Sequence, residues 1–180
     1  ALVQGLARAL EQQLGLALQR VGAVDDGPLS LVAQDLTAYG TDLYGERRLE
    51  SLVRKLLDGT AVDWIRLLYL YPSTVGSELL DIIAENPRVV PYLDIPLQHV
   101  SSKVLKAMNR RYSREQAIDL VAQIRERIPD AALRTTLLLG FPGETEQDVQ
   151  EVESFLRDTE LDHVGVFAYA NEEGSAAEKF

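Results

Sequence analysis

AALRTTLLLGFPGE, residues 131–144, holds a short apolar run that stops at Gly140 and gives way to a Pro-Gly-Glu turn. After Leu133, apolar or β-branched side chains run from Thr135 to Leu139, and from Thr145 onward the pattern changes to helical period. A run of this kind closed by Gly and Pro predicts a strand buried on both faces, the usual condition in a parallel sheet. Gly140 and Gly143 remove side chains where the strand ends, so backbone amides there are open to close approach by a ligand. Open α/β sheets and barrels bind ligands at that end of their strands. The competing reading is a tight strand-to-helix turn with no ligand, and the turn taken alone leaves both open.

Outward from this stretch, the chain alternates strand and helix. Toward the amino terminus, strands are expected at Leu29–Ala33, Trp64–Tyr71 and Val89–Ile95, the last two ended by Pro72 and Pro96. Helices are expected over Glu46–Leu57, Ser77–Glu85, Ser101–Asn109 and Ser113–Ile128, with Ser101 and Ser113 as N-caps. Thr37–Gly45 reads as a loop. Beyond the opening stretch come a helix over Glu146–Asp158, a strand over His163–Tyr169 and a polar tail from Asn171. Leu2, Leu6, Leu10, Leu14 and Leu18 recur every four residues, which predicts an amphipathic helix ended by Gly22. Residues 1–28 are thus a helix and turn, residues 29–177 a single α/β body, and residues 178–180 a tail. The alternation implies a parallel sheet wrapped by helices, an open or partial barrel of about five strands.

The totals narrow the chemistry. A net charge of -10, relieved only by Arg110, Arg111 and Arg114, makes a poor non-specific partner for nucleic acid and a good one for a basic protein. The 180 residues contain no cysteine, which excludes disulfides and thiolate metal sites. No apolar run reaches the ~20 residues of a membrane span, and the first residues lack the form of a secretion signal. The start at Ala1, without an initiator Met, reads as a fragment or processed product. Two distant histidines give no zinc spacing, and no triad order or phosphate-binding glycine loop is present.

Polar residues at the strand ends form a consistent rim: Gln34 and Asp35; Tyr69 and Tyr71; Gln98 and His99; Arg134 with Gly140 to Glu144; and Tyr169. Each has a plain structural reading beside the functional one. Gln34 and Asp35 fit an Asx-turn, His99 a cap for the next helix, and Glu144 the favourable end of a helix dipole. Arg134, inside an apolar strand, needs a partner, for which Asp94, Glu144 and a ligand carboxylate are candidates. His163 reads as structural. The residues alone lead to a ligand site on the rim of a parallel α/β sheet.

LVAQDLTAYGTDLYG, WIRLLYLYP, YLDIPLQHVSSKVLKAMNRRYSREQ, ALRTTLLLGFPGET and GVFAYANEEGSAA together resemble the radical S-adenosylmethionine domain of the methylthiotransferases, over about residues 29–177. They are most similar to the branch that methylthiolates an aspartate of a small-subunit ribosomal protein, and less so to its tRNA-modifying sisters. The resemblance implies a partial (β/α) barrel with outer helices whose first strand is missing or replaced. It implies S-adenosylmethionine and a 4Fe–4S cluster as cofactors, a small-subunit ribosomal protein as partner, a cytoplasmic location and no membrane. It places Gly140, Phe141, Pro142, Gly143 and Glu144 along the adenine side of the cofactor, with Phe167 and Tyr169 nearby. Gln34 and Asp35 fall at the cofactor's amino-acid end, Gln98 and His99 face it, and Arg134 points into the barrel.

The family's C-x3-C-x2-C loop, whose thiolates hold the cluster, has no counterpart among these residues. No catalytic or metal-ligating residue is therefore assigned, and the chain alone is predicted inactive. A non-catalytic half-barrel scaffold is the alternative, and a tRNA methylthiotransferase fragment a lesser one. A cofactor-free barrel lyase or aldolase lacks its lysine or metal cluster. An open sheet edge in place of the first strand would favour a homo-oligomer.

Overall fold

The structure, a computed structural model, describes residues 27–171. The amphipathic helix expected before residue 27 and the tail beyond residue 171 lie outside the described residues. Two compact units divide the chain: Ala1–Tyr69 with Gly76–Pro91, and Leu70–Val75 with Tyr92–Phe180.

The first unit contains strand β1 (Leu29–Leu31), a 3-10 turn (Leu36–Ala38), the single-turn helix α1 (Thr41–Tyr44), helix α2 (Leu49–Gly59), strand β2 (Ile65–Leu67) and helix α3 (Ser77–Glu85). β1 and β2 pair in parallel, with Leu29 opposite Ile65 and Leu31 opposite Leu67. Val89 makes a further parallel bridge to Ile65. α2 buries Leu49, Leu52, Val53 and Leu56, the face its helical spacing predicts. α3 runs over its expected residues and buries Leu79, Leu80, Ile82 and Ile83. Arg88 closes the end of α2: its guanidinium donates to the carbonyls of Leu57, Thr60 and Val62 at 2.7–2.9 Å.

The second unit contains a 3-10 turn (Pro72–Thr74), strand β3 (Tyr92–Asp94), helices α4 (Ser102–Ala107) and α5 (Arg114–Arg127), strand β4 (Ala132–Leu139), helix α6 (Glu146–Thr159) and strand β5 (His163–Ala168). β4 is central in a parallel β3-β4-β5 sheet. Arg134 stands opposite Asp94 on one side and His163 on the other. α5 and α6 each start with a capping box, Ser113 with Gln116 and Thr145 with Asp148.

Within each unit the strands pair in parallel and are interleaved with helices, as the α/β reading requires. Several local expectations change. β4 is not buried on both faces: Leu133, Thr135 and Leu137 are buried, while Arg134, Thr136 and Leu138 are half-buried. A two-residue period of this kind means that helices cover one face and the other is left partly open. The strand expected over Val89–Ile95 is divided at Pro91, which has no N–H for a ladder; Val89 bridges β2, and Tyr92–Asp94 pairs with β4. The strand expected over Trp64–Tyr71 stops at Leu67, because Tyr69 adopts φ +59. β1 is only half-buried, with Ser30 exposed. Thr37–Gly45 is not a plain loop but holds α1 between Gly40 and Gly45, both at positive φ. Ser101 stands at the N-cap position of α4 without capping it; its hydroxyl goes instead to Asp148.

Candidate functional site

The rim residues fall into the two units. Gln34 and Asp35, just past β1, belong to the first. Gln34 is exposed. The Asp35 carboxylate accepts from the Thr37 hydroxyl, and its carbonyl accepts from the Ala38 N–H at 3.3 Å, so the 3-10 turn is closed by the Asp35 backbone, with no cap bond from its side chain. Tyr69 is exposed at left-handed φ, with its carbonyl held by the Leu36 N–H.

The remaining candidates belong to the second unit. Gln98 follows β3 at φ +64, a conformation that costs an L-residue about 1–2 kcal/mol. Two bonds to β4 hold it there: its N–H donates to the Thr136 carbonyl at 2.8 Å, and its carbonyl accepts from the Leu138 N–H at 2.7 Å. Strain that is locked in place past a strand end is a common mark of a binding position. Arg134 finds the first of its candidate partners, donating to the buried Asp94 carboxylate at 2.8 Å. Its guanidinium extends beside Gly165, where an added Cβ would meet Arg134 at 3.7 Å and the Phe167 ring at 3.8 Å. Asp94, Arg134 and Phe167 thus gather on the half-open face of the sheet.

The Gly140–Glu144 turn is shaped from within. Gly140 and Gly143 have φ +82 and +83, and nothing lies within 4 Å of a Cβ built on either. Glycine is therefore required by the sign of φ, not by a close neighbour. Both Glu144 carboxylate oxygens accept from the Gly140 N–H at 3.0 Å, so that amide, expected to be open to a ligand, is already used. Phe141 is buried and meets Tyr169 edge to face, with ring centroids 5.2 Å apart. The Tyr169 N–H continues the β4–β5 ladder by donating to Leu139. Pro142 is half-buried and Gly143 exposed.

His99 differs from the expectation of a residue facing a ligand. It is fully buried: Nδ1 accepts from the Ser101 N–H at 2.9 Å, and Nε2 faces Glu144 at 3.4 Å. Burial holds its pKa below the usual imidazole range, against the raising effect of Glu144 and, less, Asp148 and Glu151. His163, read as structural, is exposed at the start of β5.

Two clusters escaped the sequence reading. Asp148 accepts from the Ser101 hydroxyl (2.6 Å), Lys103 (2.8 Å), the Thr145 hydroxyl (2.6 Å) and the Thr145 N–H (2.8 Å). These bonds, led by that from Lys103, pull its carboxyl far below the ordinary range. The Thr-x-x-Asp pattern was the available signal for part of it. The second cluster packs Tyr71 edge to face on Tyr112 at 6.0 Å, with the Arg110 guanidinium 5.6 Å from the Tyr71 ring centroid. The Tyr112 hydroxyl donates to the Leu97 carbonyl, and burial raises its pKa. Among the described residues no group of three or more metal-ligating side chains is placed to hold a metal ion.

The profile of the radical SAM superfamily matches residues 33–156. The chain is 57% identical over 152 residues to the ribosomal protein uS12 methylthiotransferase RimO of Desulfotalea psychrophila, covering 84% of this chain and 34% of that one. It is 50% identical over 151 residues to the protein of the same name from Geobacter sulfurreducens, covering 83% and 33%. The chain thus spans about a third of the length of these relatives. Among solved structures, coproporphyrinogen III oxidase (HemN) of Escherichia coli, a radical SAM enzyme, superposes with a TM-score of 0.58 at 21% identity, over 73% of this chain and 30% of that one. Streptococcus suis SuiB bound to S-adenosylmethionine gives a TM-score of 0.50 at 17% identity, over 81% and 30%. At these identities the structures bear on the fold alone, and that fold is the α/β arrangement of parallel strands and helices described above.

Proposed function

The chain belongs to the radical SAM superfamily, and on that premise we propose that it is the cofactor-binding core of a RimO-type methylthiotransferase. The observation that carries this reading is the 57% identity to a uS12 methylthiotransferase across 84% of the chain. The complete protein then places a methylthio group on an aspartate side chain of ribosomal protein uS12, in the cytoplasm. A net charge of -10 favours association with a basic ribosomal protein over nucleic acid. Among the described residues no helix is long and apolar enough to cross a membrane.

The two cofactors of the family fare differently against these residues. A 4Fe–4S cluster needs thiolate ligands, and the 180 residues contain no cysteine, so they do not fit it. The chain by itself is accordingly proposed to bind without catalysing. S-adenosylmethionine fits the half-open face of the second unit, which carries an exposed aromatic ring at Phe167 (58% exposed), a strained Gln98 and the Arg134 guanidinium. When bound, S-adenosylmethionine supplies the activated methyl group and the sulfonium-linked adenosyl group on which the family's chemistry draws. Gly140–Glu144, Phe167 and Tyr169 bound its adenine side, Gln98 offers a side-chain amide, and Arg134 supplies a cation already oriented by Asp94. His99, with no exposed surface, is assigned no direct contact.

The test is mass spectrometry of uS12 and of tRNA after both are incubated with the complete, cluster-loaded protein, S-adenosylmethionine and a one-electron reductant. A methylthio group on one aspartate supports the reading. Unmodified uS12 beside modified tRNA would replace it with the tRNA-modifying alternative.

A further inference from the structure

Among the described residues, His99 is a fully buried titratable group to which no direct cofactor contact is assigned. Its two ring nitrogens have different neighbours. Because Nδ1 accepts the Ser101 N–H at 2.9 Å, it carries no proton, and the neutral ring holds its hydrogen on Nε2. That N–H is sealed from solvent and makes no ordinary hydrogen bond among the described residues. It faces the Glu144 carboxylate at 3.4 Å, and the Glu144 side chain is itself only 9% exposed. Glu144 in turn grips the Gly140 N–H with both oxygens.

The consequence is mechanical. The turn between the two positive-φ glycines is closed by the Glu144 N–H donating to the Phe141 carbonyl at 2.9 Å, but no atom packs within 4 Å of a Cβ built on Gly140 or Gly143, so close packing does not fix the position of the Gly140 peptide. Glu144 selects one shape by holding Gly140, and His99 limits where Glu144 can sit. Phe141, next to Gly140, carries that choice to its contact with Tyr169. The neutral state suits this part, since a proton on Nδ1 would oppose the Ser101 N–H. Burial keeps the ring neutral against the pull of Glu144, Asp148 and Glu151.

We propose that His99 is a positioning residue that acts through Glu144 to fix the Gly140–Glu144 turn in the shape that receives the adenine side of a sulfonium nucleoside. The proposal rests on the cofactor reading above, and its test separates the two. H99N keeps an acceptor where Nδ1 meets the Ser101 N–H but ends short of Glu144. H99Q gives up the first contact and extends an amide donor to the reach of Nε2. If His99 served only the start of α4, asparagine would be tolerated and glutamine would not. Positioning through Glu144 requires the reverse.

Two readouts follow for the intact chain: the Gly140 amide proton shift by NMR, and S-adenosylmethionine affinity by calorimetry. H99N and E144Q are expected to move the Gly140 proton upfield and weaken binding about tenfold, equivalent to about 1.4 kcal/mol. H99Q is expected to stay within about threefold of the parent. Should H99N fail to fold, H99Q decides: a Gly140 shift or an affinity moved as far as in E144Q would overturn the proposal. Parent-like Gly140 shift and affinity in H99N would overturn the proposal. A parent chain that binds no S-adenosylmethionine while its Gly140 proton still responds to H99N would overturn the cofactor reading and the proposal's link to it, and support the relay alone.

Discussion

Replacing Asp148 with Ala removes one carboxylate and strands several donors at once. Ser101 is 2% exposed, and Asp148 is the acceptor of its hydroxyl at 2.6 Å. A buried hydroxyl left without a partner costs about 1–3 kcal/mol. The Thr145 N–H loses its half of the α6 capping box, worth about 1 kcal/mol. Lys103, whose side chain is more than half exposed, returns to water and adds at most about 0.5 kcal/mol. Together these give a loss of about 3 kcal/mol near neutral pH. Urea unfolding followed by circular dichroism measures it, and hydrogen exchange should localise the lost protection to the starts of α4 and α6. The pH dependence gives an independent check. The folded-state pKa of Asp148 is depressed, so its contribution is full above the ordinary value of 3.8 and fades as pH falls toward the lowered one. The gap between parent and D148A should therefore narrow from about pH 5 downward. A loss below about 1 kcal/mol, or a gap that ignores pH, would refute the view that Asp148 joins the starts of the two helices.

Arg88→Met should destabilise the first unit by about 2–4 kcal/mol, because three carbonyls at the end of α2 lose a charged donor; fluorescence of Trp64, the single tryptophan, reports it, and Arg88→Lys should restore little, since one ammonium does not reproduce the guanidinium fork. Gly140→Ala and Gly143→Ala should each cost about 1–2 kcal/mol through the sign of φ alone, and thermal unfolding that places either variant level with the parent would contradict this. Tyr112→Phe should cost about 1 kcal/mol for its bond to Leu97. Burial raises the Tyr112 pKa, so the stability it contributes is full below the ordinary value of 10.0 and is lost above it. In an absorbance titration, one of the seven tyrosines should ionise only as the protein unfolds.

Local punctuation explains which parts of this fold were legible in the sequence. α3 ends at Glu85, just before the Asn86-Pro87 pair, and β4 ends before Gly140, because glycine and proline act within a residue or two of themselves. The strand around Pro91 was misread because its apolar run continues across a residue that cannot join a ladder. Burial of β4 on both faces was inferred from Thr136 and Leu138, whose half-open face depends on what stands opposite the sheet rather than on their own character. At the site, the rim positions were visible because strand ends are visible, and Asp94 was among the partners foreseen for Arg134. Ser101 and Asp148, 47 residues apart, share no local period, and neither do His99 and Glu144. Such pairs exist only once the strands are in register. The αL conformations of Tyr69 and Gln98 were equally hidden, since neither residue type signals positive φ.

If the carboxyl-terminal ends of β3, β4 and β5 form the cofactor rim proposed above, S-adenosylmethionine must perturb the residues that stand there. Titration of the chain with S-adenosylmethionine, followed residue by residue through its amide resonances, reads this out. Saturable shifts are expected at Gln98, at Gly140, Phe141, Gly143 and Glu144, and at Phe167 and Tyr169. Resonances there that stay unmoved at millimolar ligand, or shifts confined to the outer helices α5 and α6, would contradict it.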